Sequence, residues 1–583
     1  MSARILLGYL RSGVSVSKKA KGLSRPRTKI FVSGQQCCSI HVDSPPVEPS
    51  LTTSYAHGTS TRSLLSSTVG QTLQAAAERW PDREALVFVQ DGVRKTFAQF
   101  KQEVDQAAAG LLAIGLKKGD RLGMWGPNTY EWILMQFATA KAGIILAAVN
   151  PAYQLQEVEF AMRKVGVSAV VCPTQFKTQK YYDMLRQLCP DMDTASPGSI
   201  KSSRLPELRT VILTDSEQPG ALHLKQVMEA GSSQYVQQLE ELQRTLCFDD
   251  PINIQFTSGT TGAPKGASLS HHNIVNNAYF IGTRPHVKIC LPVPLYHCFG
   301  SVGGGMVMAV HGATLVFPSA GYDSRANLAA VHSERCTFLY GTPTMFIDML
   351  GQPDLPTFDL SSVEGGWLTY IQDIGYGTTE NSPVTFVGFS IDSMERRTET
   401  VGCIAPHTEA KVVDPTSRQL VPLGSQGELM IRGYCVMLEY WGDQAKTQEC
   451  ISKDGWYKTG DIASMDAYGY CKIEGRIKDM IIRGGENIYP AEIEQFLHTH
   501  PKVQEAQVIG VKDERMGEEI CACIRLKVGQ ECTAEEIIAY CKGKISHFKI
   551  PRYVLFVESY PLTITGKIQK IHLRELTEKQ LGL

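Results

Sequence analysis

The chain has 583 residues, enough for roughly three or four domains of ordinary size. Its net charge of −1, with 43% apolar and 20% charged residues, fits a globular protein with a large core. That balance gives no reason to expect nucleic acid or an anionic membrane as the main partner, and no apolar run reaches the ~18 residues of a transmembrane helix.

The N-terminus is biased. Arg4, Arg11, Lys18, Lys19, Lys21, Arg25, Arg27 and Lys29 precede the first acidic residue, Asp43. Ile5, Leu6, Leu7, Tyr9 and Leu10 can share one helix face beside the arginines. This is the pattern of a mitochondrial presequence, and residues 1–45 are set apart from the fold on that ground. A disordered basic tail is the alternative. A secretory signal fits worse, because the apolar core is short and basic residues follow it. The 16 cysteines include no CxxC pair, which argues against a zinc site and fits a reducing compartment such as the mitochondrial matrix.

Residues 46–70 read as a linker. A helix is expected over Thr72–Ala77, and a hairpin around Asp91-Gly92 between Leu86–Val89 and Thr96-Phe97. Next come a helix over Phe100–Leu116, a strand over Arg121–Trp125, a helix over Tyr130–Ala142 and a strand over Ile144–Val149. A helix over Gln154–Lys164 and strands over Ala169–Cys172 and Arg209–Thr214 continue the alternation. It predicts a parallel sheet covered by helices.

Ile252–Phe256 alternates like a strand and runs into Thr257-Ser258-Gly259-Thr260-Thr261-Gly262-Ala263-Pro264-Lys265-Gly266. A loop of hydroxyls, glycines and one lysine at a strand end suits a polyphosphate. It is not a Walker A loop, because Pro264 precedes the lysine and Gly266 follows it. Ser270 can cap a helix running through Asn277. Strands over Ile289–Leu295, Thr314–Phe317 and Thr337–Tyr340 and a helix over Leu328–Arg335 follow. Past residue 400 the turns become denser, as in Gly427–Gly433, which indicates a β-rich subdomain. Beyond Arg476 a compact α+β pattern begins, with helices over Pro490–Thr499 and Ala534–Lys544 and strands over Ala506–Gly510, Ile520–Leu526 and Tyr553–Val557.

Five stretches occur in a fixed order. They are the 257–266 loop, Tyr376-Gly377-Thr378-Thr379-Glu380, Trp456-Tyr457-Lys458-Thr459-Gly460-Asp461, Gly475-Arg476-Ile477-Lys478-Asp479 and Pro561-Leu562-Thr563-Ile564-Thr565-Gly566-Lys567-Ile568. Together they resemble the adenylate-forming superfamily of acyl-CoA synthetases, luciferases and peptide-synthetase adenylation domains, over roughly residues 70–583. The details, including Arg483–Pro490, look closest to a mitochondrial medium-chain acyl-CoA ligase.

The resemblance implies an α/β fold. A large N-terminal domain (46–476) of helix-covered sheets with a β-rich subdomain would be followed by a small, mobile α+β lid (477–583). It implies ligation of a fatty acid to coenzyme A, with ATP and Mg²⁺, through an acyl-adenylate. The loop would hold the β- and γ-phosphates, Thr379 the α-phosphate and Glu380 the Mg²⁺. Tyr376 would pack on adenine, Asp461 would accept the ribose hydroxyls, and Arg476 would contact ribose or phosphate. Lys567 would bridge the acyl carboxylate and the α-phosphate. Lys478 would be the hinge that presents Gly484-Gly485 to the CoA channel. His297 stands where the family has a gate to the acyl pocket, with a structural histidine as the alternative. Gly303-Gly304-Gly305 can leave room for an alkyl chain or serve close helix packing.

One segment departs from the pattern. Only nine residues, Trp367–Gly375, separate Gly366 from Tyr376, where the family has a helix and a returning strand. A parallel crossover needs roughly a dozen residues or more. Two readings follow, a working ligase and a catalytically impaired variant that retains binding. A carrier-loading adenylation enzyme is a third, disfavoured because no carrier domain is present.

Overall fold

The computed structural model describes residues 39–257, 264–282, 287–365, 375–483, 486–542, 544–545, 547–562 and 568–583. The chain forms two compact units. The first holds the described residues up to 52, then 56–409 and 432–449, and the second holds 53–55, 410–431 and 450–583.

The first unit is built on an eight-stranded sheet. In spatial order its strands are Glu439–Tyr440, Lys265–Ser270, Pro251–Thr257, Ile145–Val149, Arg121–Trp125, Ala169–Cys172, Thr210–Leu213 and Leu222–His223. From Pro251–Thr257 to the far edge the pairing is parallel, while Lys265–Ser270 and Glu439–Tyr440 add antiparallel at the other edge. Ile145–Val149 is buried at every position, as a central parallel strand covered on both faces must be. The helices Leu155–Val165 and Tyr181–Leu188 cover one face, where Val158, Met162, Tyr181 and Leu185 meet Trp125, Val170 and Ile254. The helix Tyr130–Lys141 is buried almost all round, which explains its weak amphipathic pattern in sequence.

A second, five-stranded sheet runs Phe338–Leu339, Lys288–Cys290, Thr314–Phe317, Glu84–Phe88 and Val93–Thr96. Its last two strands are the expected hairpin, with Gly92 in the left-handed region at φ +67°. At the opposite edge Phe338 makes a parallel bridge with Gly365, and the sheet extends no further among the described residues. The shortened stretch, residues 366–374, lies outside the described residues. When the described chain resumes, Gly375–Tyr376 pairs antiparallel with Phe386–Val387, which pairs with Cys403–Ile404 in a small separate sheet.

The second unit has an antiparallel sheet of Gly427–Gly433, Tyr457–Met465 and Cys471–Arg476, with Thr408–Val413 beside the first of these. Its C-terminal part sets Val503–Asp513 antiparallel to Gly517–Leu526, with Tyr553–Phe556 parallel to the latter. The helices Pro490–His498, Ala534–Cys541 and Lys570–Leu581 complete the α+β pattern. Cys521 and Cys523 alternate onto one buried face, as their spacing predicts, and pack there with Ile509, Val511 and Leu573.

The strand Lys265–Ser270 was not expected. Its alternation is masked by Ser268 and Ser270, both buried here. Ser270 does cap the next helix, which runs His271–Ile281, with a reciprocal bond to Asn273. His271 is fully buried, and its Nδ1 accepts from the backbone N–H of Val69, the first residue of the helix Val69–Arg79, at 3.1 Å. Burial lowers its pKa from 6.5 to about 4. As pH falls from 6.5 towards 4, the unfolded chain binds a proton that the folded chain refuses. Stability therefore declines across that window, by about 3 kcal/mol at its lower end. In thermal melts over this range, His271→Asn, which keeps an acceptor for Val69 and cannot titrate, should lose melting temperature less steeply than the parent.

Candidate active site

The predicted polyphosphate loop is closed by the hairpin of Pro251–Thr257 and Lys265–Ser270, in which Thr257 stands opposite Lys265. Ser258, Gly259, Thr260, Thr261, Gly262 and Ala263 lie outside the described residues. Thr257 and Lys265, at the two loop ends, therefore define its base, and Pro264 leads into the returning strand. The register places Lys265 next to an aromatic on the edge strand. Its Nζ donates to the Tyr440 hydroxyl at 3.0 Å and sits 4.3 Å from the centre of that ring. The Tyr440 hydroxyl in turn donates to Glu380 Oε1 at 2.6 Å. Tyr440 is 3% exposed and Glu380 8%, so the chain Lys265–Tyr440–Glu380 is largely shielded from water. The second oxygen of Glu380 has no protein donor among the described residues, which suits a hard cation.

Glu380 lies on the turn that follows Tyr376. The backbone of Tyr376 accepts from Thr385 N–H at 2.8 Å, and its ring meets the edge of Phe386. The amide of Asn277 reaches from the helix His271–Ile281 and binds Val384 through both its carbonyl and its N–H. The Ser382 hydroxyl donates to the carbonyl of Cys435, and Met437 N–H donates to the carbonyl of Glu380. Gly377 has no alternative here, because a Cβ would stand 1.8 Å from the carbonyl oxygen of Pro383. The turn also carries unsatisfied polar atoms. Thr378 Oγ1, both amide atoms of Asn381, and Thr257 Oγ1 at the loop base are buried with no hydrogen-bond partner among the described residues. Such groups are costly unless a ligand completes them. The Thr379 hydroxyl accepts from Cys298 Sγ at 3.7 Å.

His297 caps the short turn Cys298–Gly300. Its Nδ1 accepts from Phe299 N–H at 3.1 Å, which leaves the ring proton of the neutral form on Nε2. The glycines that follow serve packing. A Cβ on Gly304 would lie 2.6 Å from Leu291 Cδ2, and one on Gly305 2.8 Å from Ile133 Cδ1.

The second unit carries the other predicted residues. Asp461 stands opposite Arg476 in the antiparallel register, and Arg476 Nε lies 2.9 Å from its carboxylate. Asp461 is buried and Arg476 half exposed. The hydroxyl of Thr459 fixes the bend at Gly460 by accepting from Asp461 N–H and donating to the carbonyl of Leu429. Lys478 is exposed on the short turn Ile477–Asp479. Lys567, Gly484 and Gly485 lie outside the described residues. Among the described residues the ligand atoms of His500, Cys532 and Glu536 come within 4.8 Å of one another. Lys502 already pairs with Glu536 at 2.7 Å, and Lys527 and Lys544 add positive charge around His500, a field that opposes a cation.

Residues 73–441 match the family described as AMP-binding enzyme, and residues 492–567 match the AMP-binding enzyme C-terminal domain. The chain belongs to the AMP-binding enzyme family. It is 71% identical to the protein named medium-chain acyl-CoA ligase ACSF2, mitochondrial, of Danio rerio, with all of both chains covered. It is also similar to two solved structures, each at 25% identity. The anthranilate CoA ligase AuaEII in complex with anthranoyl-AMP has a TM-score of 0.77 over 89% of this chain and 99% of that one. ATP-bound MatB from Rhodopseudomonas palustris has a TM-score of 0.75 over 88% of this chain and 100% of that one.

The alignment with the Danio rerio relative extends over 607 positions, more than this AMP-binding enzyme's 583 residues, so that relative carries residues with no counterpart here. The sequence reading of this AMP-binding enzyme did not single out Tyr440, Asn381 or Asn277. Their positions in the site come from contacts between a strand, a helix and a turn distant in sequence, which leave no signal in the chain. Gly377→Ala should push the Pro383 carbonyl aside at a cost of about 2 kcal/mol or more. A lowered melting temperature with faster proteolysis near residues 376–383 is the expected result.

Proposed function

We propose that this AMP-binding enzyme joins a medium-chain fatty acid to coenzyme A in the mitochondrial matrix, releasing AMP and pyrophosphate. The observation that carries the reading is the juxtaposition of Lys265, Tyr440 and Glu380 at the base of the phosphate-type loop, beside buried hydroxyls and an amide without partners. The relatives' names supply the acyl class and the organelle.

The reaction has two halves. An ionised carboxylate attacks the α-phosphorus of ATP, and the bond to pyrophosphate breaks. The thiol of CoA then attacks the acyl carbon, AMP leaves, and the thiol proton goes to solvent or phosphate. Both partners in the first half are anionic, so donors and cations must carry the catalysis. We assign Ser258–Ala263 with Thr257, Pro264 and Lys265 to the β- and γ-phosphates, and Thr379 to the α-phosphate. Tyr376 is assigned to adenine, Asp461 and Arg476 to the ribose side, and Lys567 to the acyl carboxylate and α-phosphate. Mg²⁺, when bound, neutralises phosphate charge, and the free oxygen of Glu380 is the ligand the chain offers it. Residues 46–476 and 477–583 are assigned as large domain and lid, with Lys478 as hinge, Gly484 and Gly485 toward the CoA channel and His297 toward the acyl channel.

A second reading, an impaired variant that only binds, is favoured by one observation. On the side away from Lys288–Cys290 the strand Phe338–Leu339 meets only Gly365 among the described residues, and Tyr376 stands in a separate sheet after a shortened connection. Octanoate-dependent exchange of labelled pyrophosphate into ATP separates the two. The ligase reading expects exchange that Lys567→Ala abolishes. A folded protein without exchange supports the impaired variant.

A further inference from the structure

A buried carboxylate needs a donor, and the donor here lies outside both the 257–266 loop and the 376–380 turn. Tyr440 sits on the edge strand Glu439–Tyr440, opposite Ala267, two residues beyond Lys265 on the returning arm of the hairpin. Trp441 N–H donates to the carbonyl of Gly266 and Leu438 N–H to that of Ser268, so the strand is locked to that arm on both sides of Tyr440. Thr447 Oγ1 accepts from Tyr440 N–H at 2.9 Å. The ring therefore has a fixed backbone and a fully buried side chain. Its hydroxyl joins the lysine of the loop to the carboxylate of the turn, at 3.0 and 2.6 Å.

We propose that Tyr440 is the positioning residue that aims Glu380 at the metal of the nucleotide and holds Lys265 at the loop base. This rests on the assignment of Glu380 made above. By occupying Oε1, the hydroxyl leaves the other oxygen of Glu380 as the one presented. The ring face holds the Lys265 ammonium independently of the hydroxyl, so the two functions of Tyr440 are separable. Tyr440→Phe removes the bond to Glu380 and the acceptor for Lys265 while keeping the ring, and Tyr440→Leu also removes the cationic contact.

The test is calorimetric binding of ATP to the full chain, with Mg²⁺ and with a chelator, alongside thermal melts. Tyr440→Phe should fold with a modestly lowered melting temperature and bind ATP with Mg²⁺ about tenfold more weakly. Its binding in chelator should change little, so the gain in affinity that Mg²⁺ confers shrinks. Tyr440→Leu should weaken binding under both conditions. A parent-like Mg²⁺ gain in Tyr440→Phe overturns the positioning role. So does an equal loss with and without Mg²⁺, the signature of a structural residue. Glu380→Gln separates the premise from the proposal. If it keeps the full Mg²⁺ gain, the assignment of Glu380 falls and the role of Tyr440 with it. If it loses the gain while Tyr440→Phe keeps it, only the role of Tyr440 falls.

Discussion

The antiparallel pairing of Pro251–Thr257 with Lys265–Ser270 is the constraint on which the rest of the site depends. A glycine- and hydroxyl-rich loop has little conformational preference of its own. Pairing Thr257 with Lys265 fixes the two residues from which that loop leaves and to which it returns. The same pairing sets which face Lys265 uses, because a one-residue slip would turn it to the other side of the sheet. It also creates the edge to which Glu439–Tyr440 adds.

The turn carrying Thr379 and Glu380 has no regular structure to satisfy it, so side chains do the work. Asn277 mimics a strand neighbour to Val384, and Ser382 ties the turn to Cys435. Those bonds are buried and join residues distant in sequence, and they hold the backbone while leaving the Thr378 hydroxyl and the Asn381 side-chain amide without partners among the described residues. Buried unpartnered side-chain atoms also occur elsewhere among the described residues, as at Trp132 and Asn327, but here several lie beside the loop base and the turn, where a polar ligand can complete them.

The shortened connection before Tyr376 exposes how tightly sheet topology and site geometry are linked. A parallel strand can be added to the Phe338–Leu339 edge only through a crossover long enough to return over the sheet. The connection here is too short, and the next described strand joins an antiparallel group. The turn that follows is nonetheless held by contacts from Asn277, Cys435 and Met437, none of which depends on that crossover. The Glu380 carboxylate thus keeps its partner, the Tyr440 hydroxyl, through contacts outside the shortened connection.

Much of the architecture was legible in the chain. Arg121–Trp125, Ala169–Cys172 and Thr314–Phe317 were expected at the residues where they occur, because runs of apolar residues bounded by turn formers have one economical solution. The Asp91-Gly92 hairpin and the Ser270 cap were equally local. The motifs, read in order, named the family and the residues proposed to act. Tertiary structure alone decided the rest. The strand Lys265–Ser270 was hidden because its polar residues are buried by partners distant in sequence. Gly304 and Gly305 are pressed by Leu291 and Ile133, and Gly303 faces Phe299, contacts that favour the packing reading of these glycines. The Lys265–Tyr440–Glu380 chain joins residues up to 175 positions apart. Local pattern determines which elements form, since it acts through short-range sterics and burial. Which side chains meet is determined by register and sheet order, which no single segment contains.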